Sequence, residues 1–353
     1  MKIKASLEAV ATIFDRVNMA GTRIKQSDIV LAYIAVHNSG WVRGKFMEYL
    51  NDLDEEGFYF DPTIIIRGIT AIGENKTVLR DVSDDFIRNE NGVLDKAFKK
   101  FKECMSRLIH KFRSAGILTS DLIYAKNSVI PLIYLCHKFG TTFNFKKALF
   151  YLILALWYGR YSGAAEATLQ EDINKIKEAK NFDEAIAKLV ENFPKINVTK
   201  EIVKNAVYYQ GIGRILKLIL YLIVYKNGAT DWFTGVRLGY TRHNEINKDF
   251  GIEEHHFFPR SLLRKQNIET DKIHSLANIV FINPGTNKRL RTQPADYIKK
   301  YKIQKEDLKK QLIPLNEKLW YIEKFKEFIN ERSRLIAEEI NNYLKDLCPE
   351  YFK

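Results

Sequence analysis

Cysteine is scarce in this 353-residue chain: Cys104, Cys136 and Cys348 lie far apart, and no CxxC spacing occurs. That excludes a zinc knuckle and a disulfide framework, and it makes a reducing cytoplasm the expected setting. A signal-peptide pattern is missing from the N-terminus. Long apolar runs are missing too. The two most apolar, residues 150–158 and 215–225, fall short of the ~20 residues that span a bilayer, and Lys217 interrupts the second. Both read as buried helices, with no membrane partner expected. Internal repeats and low-complexity segments are absent, which removes solenoids and disordered arrays from consideration.

Negative charge is also in short supply. Against 56 Lys and Arg stand 43 Asp and Glu, a net charge of +13, which favours an acidic polymer as partner. The excess is unevenly spread. Residues 256–302 carry ten Lys or Arg against Glu269, Asp271 and Asp296, a net of +7. A run of charge is often only a solvated face; here it coincides with the richest polar constellation in the chain. Apolar content of 46% and charged content of 28% are those of a globular protein.

That constellation lies in residues 252–291. Four of the seven histidines fall between His243 and His274, and two of them, His255 and His256, are adjacent at the end of an apolar run. Along a strand neighbouring side chains face opposite ways, so both can serve one site only if the strand ends there. Pro259 suits such an end. Residues 277–282 form a second short β-branched run, closed by the turn signal Asn283-Pro284-Gly285. Thr286 is a candidate N-cap for a short helix carrying Asn287, Lys288, Arg289 and Arg291. Strand, spacer, strand and short basic helix form a cradle for one cation and one phosphate, the ββα-metal arrangement.

His255, His256, Asn278 and Asn287 resemble the four signature positions of the HNH nucleases, and His-His-Phe-Phe-Pro-Arg-Ser is similar to that family's first strand. The resemblance implies a metal-dependent DNA endonuclease. His256 is then the general base, mostly neutral at pH 7 if its pKa is near ~6.5, with its tautomer fixed by a backbone carbonyl of the spacer. Asn278 shapes that spacer and supports the base. His255 and Asn287 hold one divalent ion, Mg²⁺ or Mn²⁺, although an imidazole ligand pulls preference toward later transition metals. Arg260, Lys288, Arg289 and Arg291 grip the phosphate backbone. The alternatives are a catalytically inactive DNA-binding or regulatory platform on the same fold, and a nuclease directed at RNA. His243 and His274 receive no role, and His110 and His137 are expected to be core residues.

The fold expected is mainly α: a helical, bundle-like scaffold with an inserted ββα-metal unit. Residues 1–90 read as helices that include a stretch, 13–28, similar to the end of the ParB-like N-terminal domain of GmrSD-type, modification-dependent restriction and phage-defence proteins. The Asp-Gly-Gln-Gln-Arg motif of that domain does not occur, so the chain resembles the C-terminal portion of such a protein, with a nucleotide-hydrolysing N-terminal domain or subunit as an expected partner. Residues 91–235 read as helical scaffold, 236–302 as the nuclease unit and 303–353 as a C-terminal segment with a long helix. Helices are expected over 93–112, over 120–138 with a bend at Pro131, and over 315–347, the last resembling a terminal helix of the family through Phe328 and Arg332. The segment Trp157-Tyr-Gly159-Arg160-Tyr161-Ser-Gly163 resembles another recurrent feature of that family and reads as a helix break without assigned chemistry.

Overall fold

The structure, a computed structural model, describes residues 25–163, 165–239 and 253–352. The resemblance over residues 13–28 therefore lies largely outside the described residues, as does His243. The described chain is mainly helical, and it divides into two compact units. The first comprises residues 1–111 and 123–193, the second 112–122 and 194–353. No helix among the described residues is long and apolar enough to cross a membrane.

The first unit is built from α1 (Gln26–His37), α2 (Glu48–Glu55), α3 (Pro62–Glu74), α4 (Asp84–Ile87), most of α5 (Val93–Ala115), α6 (Val129–Phe139), α7 (Phe145–Trp157), α8 (Ala165–Glu178) and α9 (Phe182–Val190). Helix α5 is amphipathic as its pattern predicts, with Leu94, Phe98, Phe101, Met105, Leu108 and Phe112 all buried. His110 falls on its exposed face and not in the core, and His137 is only half-buried. The helix expected over 120–138 is shorter. Two 3₁₀ turns, Ser120–Leu122 and Lys126–Ser128, precede α6, which puts Pro131 in the first helical turn, where its missing N–H disrupts nothing. Helix α7 does stop at Trp157, and Gly159 takes a positive φ of 60°. The residues after this break have a structural use. Arg160 grips the fully buried Asp172 through Nε (2.7 Å) and Nη2 (2.5 Å), and the Tyr151 and Tyr161 hydroxyls donate to the same carboxylate. A buried carboxylate is tolerable only when paired and hydrogen-bonded in this way.

The second unit holds α10 (Lys200–Asn205), α11 (Ile212–Lys226), β1 (Glu253–His256), α12 (Arg260–Lys265), α13 (Thr270–Ile273), β2 (Ile279–Ile282), α14 (Pro284–Asn287), α15 (Pro294–Tyr301), α16 (Lys305–Lys310) and α17 (Phe325–Leu347). Strands β1 and β2 pair antiparallel, with His255 opposite Val280 and His256 opposite Ile279. All four residues of β2 are buried. Among the described residues no third strand covers its outer edge; Gln311 substitutes for one. The Gln311 side chain accepts from the Phe281 N–H (2.8 Å) and donates to the Phe281 carbonyl (2.7 Å), so both buried backbone groups are satisfied.

Helix α17 supports this pair from behind. Phe328 stacks on Phe257 with ring centroids 4.8 Å apart and planes at 5°, and both Phe325 and Phe328 meet Phe258. Each buried Phe contributes about 1.5–3 kcal/mol relative to exposure. Arg332, one turn on, is fully buried and donates to the carbonyls of Ala277 (3.0 Å) and Gln311 (3.1 Å). The helix begins ten residues later than its apolar pattern suggested. Asn316 caps a 3₁₀ turn at Glu317–Trp320, and the Ile322 N–H bonds to the side chain of Gln293, so the chain is held off the helical path until Phe325.

Candidate functional site

Strand β1 ends at His256, and Pro259, with an extended ψ of 134°, turns the chain into α12. The end of the strand lets adjacent histidines share a site: both line one cavity of about 570 Å³. Asn287, at the last position of α14, faces His255, with Nδ1 of His255 and Oδ1 of Asn287 2.6 Å apart. Glu253 fixes the amide by accepting from Asn287 Nδ2 at 2.5 Å, so the amide oxygen is presented to the imidazole. The other ring nitrogen of His255, Nε2, is buried and has no partner among the described residues.

Helix α14 starts differently from the sequence expectation. Asn283 occupies the N-cap position and Pro284 the first helical position, where proline is favoured. Thr286 therefore caps nothing; its hydroxyl donates to the buried Asp231 (2.8 Å), whose other oxygen accepts the Asn283 N–H (2.9 Å). Asp231 thus ties the start of the helix to a preceding turn and sets the position of Asn287. Gln293 occupies the N-cap position of α15, with Pro294 as its first helical residue.

Asn278 is fully buried and does not line the cavity. Its side chain accepts from the Phe258 N–H (2.9 Å) and donates to the carbonyls of Phe258 (3.2 Å) and Ile273 (3.0 Å). It clamps the two ends of the 22-residue step between His256 and itself, a role that shapes the loop.

His256 is not oriented by a backbone carbonyl. Its Nε2 lies 3.0 Å from Nδ1 of His274, and the two rings meet edge to face. His274, to which the sequence assigned no role, is buried beside the cavity, with Tyr208 and Tyr209 packed on it at 6.0 and 5.4 Å. Its partner lies eighteen residues away on another element, beyond any local pattern. The tyrosines arrive through a strand-like bridge between Val207 and Ser275, reinforced by the Tyr208 N–H to the His274 carbonyl (3.2 Å). Gly213 lets the start of α11 lie close against this same segment: a Cβ there would sit 1.8 Å from the Val207 carbonyl oxygen.

The cavity wall is basic. Arg260, Arg264, Lys288 and Arg291 line it, against one carboxylate, Glu254, which is paired with Lys217 at 2.7 Å. Arg289 is not part of the lining; its guanidinium lies over the Phe233 ring at 5.6 Å. This environment acts on the imidazoles. Burial pushes His255 down to about 4, opposed by its bond to Asn287. Burial, then His274, Arg260 and His255, push His256 down to about 3. Burial followed by Arg260 and Arg264 lowers His274 as well. All three are neutral at pH 7, the form that binds a metal or accepts a proton. Among the described residues no group of three or more His, Cys, Asp and Glu side chains is set around a single metal position.

No protein-family model matches the chain. A protein of Methanocaldococcus jannaschii, described as uncharacterized protein MJ0686, is 22% identical over 94% of this chain. The chain spans 61% of that relative's length.

Proposed function

We propose that β1, the loop after it, β2 and α14 constitute a ββα-metal unit of the HNH kind, and that the protein is a metal-dependent endonuclease acting on DNA. The observation that carries this reading is the convergence of His255, His256 and Asn287 in one cavity whose charged lining is chiefly basic. His255 and Asn287 supply donor types that suit a divalent ion such as Mg²⁺ or Mn²⁺, a neutral imidazole and an amide oxygen, which here satisfy each other through a hydrogen bond from Nδ1–H to Oδ1 that an ion would replace. Such an ion, held by His255 and Asn287, would polarise the phosphate and stabilise the leaving oxygen.

The remaining chemistry belongs to the chain. Arg260, Lys288 and Arg291 bind the phosphate backbone and orient it in the cavity. His256 takes the proton of the attacking water. Burial is the main cause of its low basicity, with His274 and then Arg260 as lesser ones, so an anionic phosphate beside Arg260 offsets only the part due to that charge. Backbone contacts carry no sequence information. Selectivity for modified DNA, and membership of a modification-dependent restriction or anti-phage system with a nucleotide-hydrolysing partner domain, are part of the same proposal; they rest on the resemblance to GmrSD-type proteins.

A second reading, a DNA-binding platform without catalysis, is favoured by one observation: a His256 pushed to about 3 is a weak base as it stands. Incubating the protein with supercoiled plasmid in Mg²⁺ or Mn²⁺ separates the two. The nuclease reading predicts open circles that EDTA abolishes; retardation of the plasmid without nicking in either metal overturns it. An RNA of matching sequence, run in parallel, tests the choice of DNA.

A further inference from the structure

Resting on the nuclease reading, the geometry points to His274 as a positioning residue that holds His256 in its Nε2-protonated tautomer. The 3.0 Å contact between His256 Nε2 and His274 Nδ1 joins two neutral rings, so one nitrogen must donate and the other accept. Two assignments satisfy it. In the first, His256 Nε2–H donates to a bare His274 Nδ1; in the second, both protons sit on the δ nitrogens. The first uses the intrinsically favoured tautomer of imidazole in both residues, the second the disfavoured one in both. Only the first leaves His256 Nδ1 with a lone pair, and that nitrogen has no partner among the described residues. When His256 accepts a proton there, the Nε2–H already points at an acceptor, and nothing has to rotate.

The frame around His274 suits a positioning role. Its carbonyl is held by the Tyr208 N–H, its chain neighbour Ser275 pairs with Val207 and donates from its hydroxyl to the Lys204 carbonyl, and Tyr208 packs edge to face on His256 itself. His274 is therefore held by residues that do not belong to β1, and its contact fixes the orientation of the His256 ring.

The test compares the parent with His274→Leu, which removes the acceptor at similar bulk, and His274→Asn, whose Oδ1 can occupy the place of Nδ1. One readout is ¹⁵N NMR of histidine-labelled full-length protein, with the His256 signals identified by their loss in His256→Gln. The expected result is a protonated Nε2 and a bare Nδ1 at His256 in the parent and in His274→Asn, and mixed tautomers in His274→Leu. The other readout is plasmid nicking in Mn²⁺. There His274→Leu should lose about 100-fold in kcat with KM changed by less than about threefold, and His274→Asn should stay within about fivefold of the parent. A His256 protonated at Nδ1 in the parent, or a His274→Leu variant that nicks at the parent rate, overturns the inference. If the parent fails to nick, the nuclease reading falls, while the tautomer measurement still decides whether His274 controls His256.

Discussion

Replacing Asn278 by Ala is expected to destabilise the second unit severely. The truncation removes three hydrogen bonds at a position with no solvent exposure: one accepted from the Phe258 N–H and two donated to the Phe258 and Ile273 carbonyls. A buried donor or acceptor left unpaired costs about 1–3 kcal/mol. The orphaned Phe258 N–H carries the full penalty, and the two carbonyls add lesser amounts, for a total of about 3–5 kcal/mol. A surface Asn→Ala change away from such groups stays within about 0.5 kcal/mol. Urea unfolding followed by tryptophan fluorescence reads the effect, because Trp232 and Trp320 both belong to the unit that contains the loop. Asn278→Asp is the companion variant: it keeps the acceptor for Phe258 but loses both donors and points a negative charge at two carbonyls, so it should be at least as destabilising as Ala. A loss below about 1 kcal/mol for Asn278→Ala would refute the clamp and return Asn278 to the cavity chemistry.

Gln311→Leu keeps bulk but strips both bonds from Phe281, and thermal unfolding should show a loss of about 2–3 kcal/mol. Removing Arg260, Lys288 and Arg291 together should flatten the dependence of DNA binding on salt by about 0.9 in log–log slope for each phosphate no longer neutralised, measured by fluorescence anisotropy from low to moderate salt; an unchanged slope would place the DNA elsewhere. The depressed histidines set a pH dependence in metal-free protein. His255 and His256 titrate in the folded state near 4 and 3, below the ordinary value near ~6.5. The unfolded chain therefore binds more protons between those values, so their contribution to stability is present above about pH 6.5 and is lost as pH falls toward 4 and 3. His256→Gln should flatten that acid limb in a urea titration run at several pH values.

Much of the helical layout was legible because amphipathic spacing is a local property: Phe98, Phe101, Met105 and Leu108 announce their shared face without reference to anything else. Misjudged ends trace to side chains from distant positions. Gln293 holds Ile322, Asp231 captures Thr286, and the late start of α17 follows from bonds of this kind. At the site, the pairing of His255 with Asn287 could be expected from the motif, whereas the partner of His256 could not. His274 looks like a loop histidine in sequence; only the chain returning beside Val207 and Tyr208 brings it under His256. Arg332 is a comparable case. Its spacing from Phe328 was visible, but the two carbonyls that receive its buried guanidinium come from residues 55 and 21 positions away.

The central claim meets its most direct test in single-turnover nicking of supercoiled plasmid by the parent and by His256→Ala, with Mn²⁺ in excess and both proteins shown to be folded and to bind DNA equally. A general base at this position predicts a parent that opens the circle and a variant slower by about 100-fold or more. Equal rates in the two proteins would contradict the account, whatever the metal requirement proved to be.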